Sequence, residues 1–525
     1  MNQNNLFWVS LIFSKLPILK ISSMLLAIFF FNILAVSCKT TSSTEEKVSS
    51  TPSETSLSLT DKFAGVNINV ISLSKPVAAT VEKRADEFEA LTGAKITVKS
   101  AGYSELYKTI LQDLTTGTNQ YDVMIMTSNW MPDYIESGYL KDLTEYVKED
   151  SSLAWNDIAP FFQEYGPVYA NKIYAIPIDG NYHLMYYRAD LLAEAGFEPP
   201  RTWDDYLKIA KYFHGKDLND DGVPDYGSCL AKKSGNVTYW AMWSIAGSFL
   251  QSQGTKQGIF FDPNTMKPMT NNVAFAKALD IYKATNEYGA PDEMEWGLND
   301  GRQAFVSGRC ALSMDHGDIG TLALLPGSKV KDKFGTTIMP GSTEVLNWDT
   351  GELVQCDKFT CPFAINGVNH APFTAAIGWV GTINTAAEPE VQAAAAAFIS
   401  YISQPDHSNI DVTNGRSGMN PYRLSQFSDS QNWIAAGMTP AVASTYLGAI
   451  GASLNSPNVV LDLTIPRNYN YQRELLDAAV TDFLAGKISR DEAMAKITQE
   501  WENLTNEMGR DAQKAFYRKS LGLER

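Results

Sequence analysis

The chain has 525 residues, of which 44% are hydrophobic and 19% are charged. This balance is that of a folded globular protein long enough for two or three lobes, and it excludes an intrinsically disordered chain. Acidic residues outnumber basic residues 59 to 43, so the net charge is −16, and Lys and Arg form no run. We therefore expect no nucleic acid and no anionic lipid surface as a partner.

The N-terminal segment has the pattern of an export signal. It carries Lys15 and Lys20 and no acidic residue, and an apolar run begins at Met24. The run is too short for a membrane span, which needs about 20 apolar residues, so we predict a signal peptide over residues 1–37. The Ser-, Thr- and Glu-rich stretch that follows predicts a solvated, disordered tether over residues 38–62.

Cys38 stands where the apolar run meets the tether. The sequence Leu34-Ala-Val-Ser-Cys38 resembles the lipobox of bacterial lipoproteins. That resemblance implies that Cys38 is lipidated, becomes the first residue of the mature chain and anchors it to the outer face of the cytoplasmic membrane. The alternative is an ordinary signal peptide with an incidental cysteine and a periplasmic product.

From residue 65 onward the hydrophobic pattern alternates between strands and helices. The first predicted elements are strands at 66–73, 95–100 and 121–126 and helices at 79–92 and 104–116. Strand–helix–strand units at this spacing build a parallel sheet, and ligands bind beyond the carboxyl ends of its strands. Residues 73–75 and 127–130 are therefore expected at a binding edge.

The remainder of the chain continues the mixed pattern. An extended stretch is predicted at 173–187, and a helix is predicted to begin after Thr202, a favourable N-cap followed by acidic residues. Further predicted elements are helices at 188–194, 272–289, 388–403, 471–485 and 489–506 and strands at 310–314 and 375–383.

Four cysteines follow Cys38 in the sequence. An even number in an exported chain indicates disulfides. Cys356 and Cys361 flank four residues that read as a tight turn, so we predict that these two pair. A bridge between Cys229 and Cys310 then follows by elimination, with two free buried thiols as an equal alternative.

The sequence contains no recognisable catalytic or cofactor motif. The five histidines include no HExxH pair, and the cysteines lack zinc-site spacing. A GxSxG elbow, a phosphate-binding loop and a dinucleotide fingerprint are also missing. We therefore predict that the protein is not an enzyme and requires no cofactor. Because carboxylate pairs occur throughout any such chain, a carbohydrate hydrolase stays an alternative.

One acidic loop has the spacing of a calcium site. Asp217, Asn219, Asp221 and Asp225 occupy positions 1, 3, 5 and 9, and Gly222 occupies the sharp turn, as in the first part of an EF-hand loop. Position 12 is a serine rather than the glutamate that completes the cage. The loop therefore predicts a structural calcium ion of modest affinity. The alternative is an acidic turn whose side chains cap their own backbone.

Residues 171–213 (NKIYAIPIDGNYHLMYYRADLLAEAGFEPPRTWDDYLKIAKYF) resemble the most recognisable stretch of the family 1 extracellular solute-binding proteins, the sugar-capturing components of ABC importers. Supporting stretches occur in the order of that family: 121–126 followed by Asn129 and Trp130, then 138–143, 305–317, and 378–381 before an Ala-rich helix. The resemblance covers nearly everything from residue 65 to the C-terminus.

The resemblance implies an α/β, two-lobe periplasmic-binding-protein fold, type II-like, with a hinge between the lobes. The implied boundaries are 63–178 plus about 319–381 for the first lobe and about 182–315 plus 384–525 for the second. The implied chain crossings lie near 178–182, 315–319 and 381–384. Residues 340–372, which carry Cys356 and Cys361, form a longer insertion than the family leads us to expect.

The implied function is extracytoplasmic capture of a carbohydrate, an oligosaccharide in the first place, by hinge closure. The implied partners are the carbohydrate and the permease subunits of an ABC importer, and the protein is expected to be a monomer. The alternatives are a surface-anchored carbohydrate hydrolase and a binding protein for a non-sugar solute.

A sugar ring has apolar C–H faces and a rim of hydroxyls, so its site needs flat aromatic surfaces and oriented polar groups. The strand ends and expected crossings offer nine candidates: Asn129, Trp130, Asp179, Trp240, Trp243, Asp315, Trp379, Arg416 and Tyr471. The alternative for each tryptophan is core packing, which we expect for Trp203 and Trp501. The alternative for Arg416 is to hold its own Gly- and Asn-rich loop.

Overall fold

The computed structural model describes residues 62–375 and 377–524. The expected signal peptide, Cys38 and the tether up to residue 61 lie outside these residues. Within them, no helix has the length and apolar character that a membrane crossing requires.

The first sheet has five strands, in the spatial order Lys95–Ala101, Asn67–Leu73, Val123–Thr127, Trp379–Ile383 and Ile176–Pro177. The first three run parallel, with Asn67 opposite Lys95 and Val70 opposite Val123. The fourth strand is antiparallel to both of its neighbours. The helices packed against this sheet are Val77–Thr92, Tyr103–Thr116 and Pro389–Ser403.

The second sheet has four strands, in the order Phe334–Thr337, Leu184–Arg188, Cys310–Asp315 and Tyr226–Cys229. The helices that pack on it are Trp203–Phe213, Leu298–Val306 and Pro440–Leu454. The first of these helices begins as expected, because the hydroxyl of Thr202 accepts the backbone N–H of Asp205 and the Asp205 carboxylate accepts that of Thr202.

A helical layer completes the second half of the fold. Its central helix, Thr238–Leu250, is buried along its whole length and packs on Val273–Ala284 and Asp477–Leu484. Arg490–Glu507 packs on the same group, and its Trp501 is buried, as is Trp203 at the start of a helix that packs on the second sheet. Both tryptophans therefore belong to the core. Asp477–Leu484 is preceded by a π-helical segment, Asn470–Leu476.

The other elements are short or peripheral. Two hairpins pair Val168–Tyr169 with Lys172–Ile173 and Glu344–Leu346 with Leu353–Gln355. The remaining α-helices are Pro132–Ile135, Thr144–Glu149, Pro160–Glu164, Ala189–Ala195, Asp318–Leu322, Pro405–Thr413, Leu424–Ser428, Gln431–Ala435 and Arg510–Ser520. Disulfides join Cys356 to Cys361, the pairing expected from the turn between them, and Cys229 to Cys310.

The chain passes between the sheets through segments that lie side by side. Residues 178–183 lead from the first sheet to the second, and residues 373–375 and 377–378 precede the strand Trp379–Ile383 of the first. A third segment, 414–423, lies beside 178–183, because Gly180 donates its backbone N–H to the carbonyl of Asn420 at 3.2 Å. We call residues 178–183, residues 373–375 with 377–378, and residues 414–423 the crossing segments.

The sheets depart from the expected lobe boundaries in two places. The segment after Asp315 leads to Phe334–Thr337, which pairs with Leu184–Arg188 and so stays with the second sheet rather than joining the first. The residues after 383 form the helix Pro389–Ser403, which packs on the first sheet rather than crossing to the second. In both places the next element of the chain pairs with an edge or covers a face of the sheet that the chain has just left.

Candidate ligand-binding cleft

A cavity of about 430 Å³ lies at the carboxyl ends of strands from both sheets. The first sheet contributes the residues after Asn67–Leu73 and Thr127, the last residue of the central strand. The second sheet contributes His316 and Asp318, which follow Cys310–Asp315. Ligand sites of open α/β sheets lie at such strand ends, so this cavity is the candidate cleft.

Aromatic side chains from both halves of the fold line the cleft. Trp379 begins a strand of the first sheet, is 7% exposed, and meets Tyr103 edge-to-face with the ring centroids 5.9 Å apart. Trp240, from the buried helix Thr238–Leu250, lies edge-on to His316 with the centroids 4.5 Å apart. Packing of this kind fixes ring orientation, which a surface for stacking on a ligand needs.

Asp179 lies on the first crossing segment and lines the cleft. Its carboxylate accepts the backbone N–H of Asn420 at 2.6 Å and that of Trp379 at 3.3 Å. Burial, opposed by these hydrogen bonds and reinforced by the nearby Asp318 carboxylate, raises the pKa of Asp179 to about 7. Near neutral pH this side chain is therefore only partly ionised.

Arg302 holds two carboxylates at the same end of the cleft. It forms a bidentate pair with Asp315, at 2.7 and 2.8 Å, and contacts Asp318 at 2.8 Å. Burial lowers the pKa of Arg302, but the two carboxylates outweigh it and raise the pKa overall. Asp318 also accepts the side-chain amide of Asn420 at 3.1 Å. One guanidinium thus orients both carboxylates.

Arg473 enters the cleft from the π-helical segment Asn470–Leu476. Its guanidinium carbon lies 3.6 Å from the centroid of the Tyr103 ring, with the rings of Tyr239 and Trp240 at 5.3 and 5.7 Å. π-Helical turns are rare and frequently occur at functional sites, because the wider turn redirects side chains.

Several buried polar atoms of the cleft residues have no hydrogen-bond partner among the described residues: Thr127 Oγ1, Trp240 Nε1, His316 Nε2 and Asn420 Oδ1. Burial lowers the pKa of His316 to about 4, so the ring is neutral at neutral pH. Its Nδ1 faces the carbonyl oxygen of Tyr182 at 3.4 Å, which makes Nδ1 the donor and leaves Nε2 as an acceptor. Buried polar atoms normally find partners, so these four point to a polar ligand.

Three of the nine sequence candidates line the cleft: Asp179, Trp240 and Trp379. Asp315 lies behind it and acts on it through Arg302. Trp130 is buried behind the wall against Tyr103, with the ring centroids 4.8 Å apart.

The other four candidates point elsewhere. Asn129 is buried and donates its side-chain amide to Asp462 at 2.9 Å. Trp243 and Tyr471 belong to the helical core, where each contacts Trp501. Arg416 is exposed outside the cleft lining, and its backbone N–H bonds to Asn414 within the loop.

Sequence reasoning missed most of the polar lining. The missed residues are Tyr103, Arg302, His316, Asp318, Asn420 and Arg473. Weak signals existed for three of them, since His316 and Asp318 follow the candidate Asp315 and Asn420 shares a loop with the candidate Arg416.

Gly378 brings two crossing segments into contact beside the cleft. Its φ is +130°, and a Cβ at this position would lie 2.3 Å from the carbonyl oxygen of Asp179. Only glycine tolerates both this backbone angle and this approach.

The acidic loop lies apart from the cleft. The Asp217 carboxylate accepts the backbone N–H groups of Asp221 and Gly222, at 3.2 and 2.7 Å. Asp225 turns inward, where it accepts the N–H of Leu218 at 2.9 Å and pairs with Arg309 at 3.3 Å. Across the described residues no group of three or more acidic, His or Cys side chains is arranged to hold a metal ion. The loop thus has the geometry of a self-capped turn, in which Asn219 and Asp221 also bond to backbone N–H groups.

Residues 72–407 match the family model for bacterial extracellular solute-binding proteins. A mannitol-binding protein of Pseudomonas aeruginosa is 26% identical over 253 residues, which are 46% of this chain and 54% of that protein. The Sinorhizobium fredii protein named Probable amino-acid ABC transporter periplasmic-binding protein y4oP is 22% identical over 301 residues, which are 56% of this chain and 66% of that protein. The chain thus spans about half to two thirds of the length of these relatives.

The fold also matches a solved structure along nearly its whole length. An ABC transporter solute-binding protein from Agrobacterium radiobacter K84, crystallised with ribitol, superposes with a TM-score of 0.68 at 24% identity. The match covers 85% of this chain and 100% of that one. The shared feature is the arrangement of two α/β halves around a cleft.

Proposed function

Because the chain belongs to the bacterial extracellular solute-binding protein family, we propose that it captures a carbohydrate outside the cytoplasm and delivers it to the permease subunits of an ABC importer. This proposal rests on the cleft, which is lined by Trp379 and Trp240 and by four buried polar atoms that have no hydrogen-bond partner among the described residues. Apolar ring faces together with fixed donors and acceptors complement a polyhydroxylated ligand. The mannitol and ribitol bound by the relatives have the same chemistry.

The proposal includes hinge closure about the crossing segments. Residues from both sheets line the cleft, so a ligand that contacts both halves favours the closed arrangement by its difference in affinity for the two states. An oligosaccharide remains our proposed size class within the carbohydrates.

The enzyme alternative rests on Asp179 and Asp318, two carboxyl groups in one cleft, of which the first has its pKa raised to about 7. A glycosidase needs one such group as acid and a second as nucleophile or base. Here the carboxylate of Asp179 already accepts two backbone N–H groups, and that of Asp318 pairs with Arg302 and accepts the side-chain amide of Asn420. Binding without turnover is therefore our proposal.

The proposal places the protein outside the cytoplasmic membrane, anchored through a lipid on Cys38 and otherwise free of the membrane, as a monomer. We do not extend the proposal to calcium. The carboxylate of Asp225 turns inward to pair with Arg309, and no group of three or more acidic, His or Cys side chains in the described part of the chain is arranged to hold a metal ion.

A thermal-shift screen tests the ligand class. The panel contains polyols, monosaccharides, oligosaccharides and, for the non-sugar alternative, amino acids. A cognate ligand at 100 times its Kd adds about 2.7 kcal/mol to the free energy of unfolding and so raises Tm. Stabilisation by amino acids alone would contradict the proposal, and chromatography of each stabilising oligosaccharide after incubation would reveal hydrolysis.

A further inference from the structure

Arg473 differs from every other buried arginine in the described part of the chain. Each of the other four contacts a carboxylate: Arg84 with Asp411 at 2.8 Å, Arg188 with Asp190 at 2.6 Å, Arg302 with Asp315 at 2.7 Å and Arg423 with Asp157 at 3.5 Å. Arg473 is 5% exposed and forms no ion pair with a described residue. Among the described residues it donates a long hydrogen bond, 3.4 Å, from Nη1 to the carbonyl of Gly235, and it interacts with the neutral hydroxyl of Tyr103.

A buried, unpaired charge is costly, so this arrangement needs an explanation. The rings of Tyr103, Tyr239 and Trp240 attract the guanidinium by cation–π interaction, but they carry no opposite charge, and the tyrosine hydroxyls can accept only some of its five N–H groups. Asp477, four residues further along, is a poor counter-charge, because burial raises its pKa to about 8 and keeps it largely protonated at neutral pH.

The other charges of the cleft are already committed. Arg302 is shared by Asp315 and Asp318, and the Asp300 carboxylate accepts the backbone N–H of Gly297 at the start of a helix. The remaining cation of the lining, Lys75, is exposed. The cleft therefore contains one buried guanidinium, that of Arg473, which forms no ion pair with a carboxylate of the described residues.

We infer that the ligand carries a carboxylate and that Arg473 binds it, which narrows the proposed carbohydrate to a sugar acid. This inference rests on the proposed function. A planar guanidinium matches a carboxylate with two parallel hydrogen bonds, and burial excludes the water that would weaken them. One buried guanidinium suits the single charge of a carboxylate better than the double charge of a phosphate.

Isothermal titration calorimetry with matched probe pairs tests the inference. The pairs are D-glucuronate with D-glucose, D-galacturonate with D-galactose, D-gluconate with D-glucitol, and an oligogalacturonate with its methyl ester. Members of a pair differ in the charged group and little else. We expect the acid of at least one pair to bind the unmodified chain at least tenfold more tightly than its neutral partner.

The variant Arg473→Gln should abolish that preference, and Arg473→Lys should retain part of it, because lysine keeps the charge without the planar fork. Arg416→Gln is the matched control, since Arg416 is exposed outside the cleft lining, and it should leave the preference unchanged. Near-ultraviolet circular dichroism checks that each variant is folded. If Arg473→Gln does not fold, the unmodified chain and Arg473→Lys still decide the question.

The possible outcomes separate this inference from the proposed function. Neutral members that bind as tightly as their acids would overturn the sugar-acid inference and leave the carbohydrate proposal standing. A preference for the acid that survives in folded Arg473→Gln would overturn the assignment to Arg473. If no member of any pair binds, the carbohydrate proposal fails and this inference fails with it.

Discussion

The carboxylate of Asp179 accepts the backbone N–H of Asn420 at 2.6 Å, so one side chain ties together two crossing segments that are 241 positions apart in sequence. The same carboxylate also accepts the N–H of Trp379, the residue that directly follows the second crossing segment. A single acidic group thus joins two crossing segments and the strand that continues the remaining one, at the place where a hinge between the two halves would bend.

The first prediction concerns the pH dependence of stability. Because the pKa of Asp179 is raised from 3.8 to about 7 in the folded protein, the folded state binds more protons than the unfolded state between these values. The free energy of unfolding therefore falls as the pH rises through this window. Asp179→Asn removes that contribution, so from pH 5 to pH 8 the unmodified chain should lose roughly 2 kcal/mol relative to the variant.

Urea unfolding at pH 5 and pH 8 measures both proteins. Asp349→Asn, at an exposed position, is the matched control and should show no such change relative to the unmodified chain. A constant difference between Asp179→Asn and the unmodified chain across the window would show that Asp179 is ionised throughout.

The second prediction separates the two roles of a buried tryptophan. Trp379 and Trp243 are both buried, but only Trp379 lines the cleft. Replacing either by alanine should cost roughly 3–5 kcal/mol of stability. Only Trp379→Ala should also weaken ligand binding, by roughly 2 kcal/mol. Calorimetry and denaturant unfolding on both variants give the comparison, and equal affinity in the two variants would remove Trp379 from the site.

The third prediction is that ligand closes the cleft. Residues of both sheets line the cleft, so a ligand that contacts both should draw the two halves together. Small-angle X-ray scattering with saturating ligand should give a smaller radius of gyration than without it. If the two radii agree within error, binding occurs without closure.

The fourth prediction concerns Cys38, which lies between the apolar run and the tether. Replacing it by alanine should remove the site of lipidation and release the exported protein into the soluble fraction. Cell fractionation followed by immunoblotting measures the distribution. Retention of the variant in the membrane fraction would indicate that the apolar run stays attached as an uncleaved anchor.

The sequence predicts those elements whose signal is local. The hydroxyl of Thr202 caps a helix as expected, since the cap depends only on residues three positions apart. The strand Val123–Thr127 was predicted from an uninterrupted apolar run, which is typical of a strand buried on both faces. Asp179 was found because the family resemblance implies a chain crossing at 178–182, and Trp379 was found because it lies in the strand predicted at 375–383.

The other residues of the cleft are placed by tertiary geometry, which cannot be read from a local sequence pattern. Tyr471 was predicted as a ligand contact, but it faces Trp501 in the core, while Arg473, two residues later, faces the cleft. Both lie in a π-helical segment, whose wider turn breaks the 3.6-residue periodicity on which helix-face predictions depend. Trp130 and Trp379 are likewise both at strand ends and both pack against Tyr103, but only Trp379 lines the cavity.

Gly378 is a position at which a substitution should change the angle between the two halves of the fold. A methyl group at this position would lie only 2.3 Å from the carbonyl oxygen of Asp179, and the resulting clash would push two crossing segments apart. It would do so without changing any side chain that lines the cleft. Gly378→Ala is therefore a way to set the resting angle between the halves, and the change in affinity that follows would measure how much of the binding free energy comes from pre-organisation of the hinge.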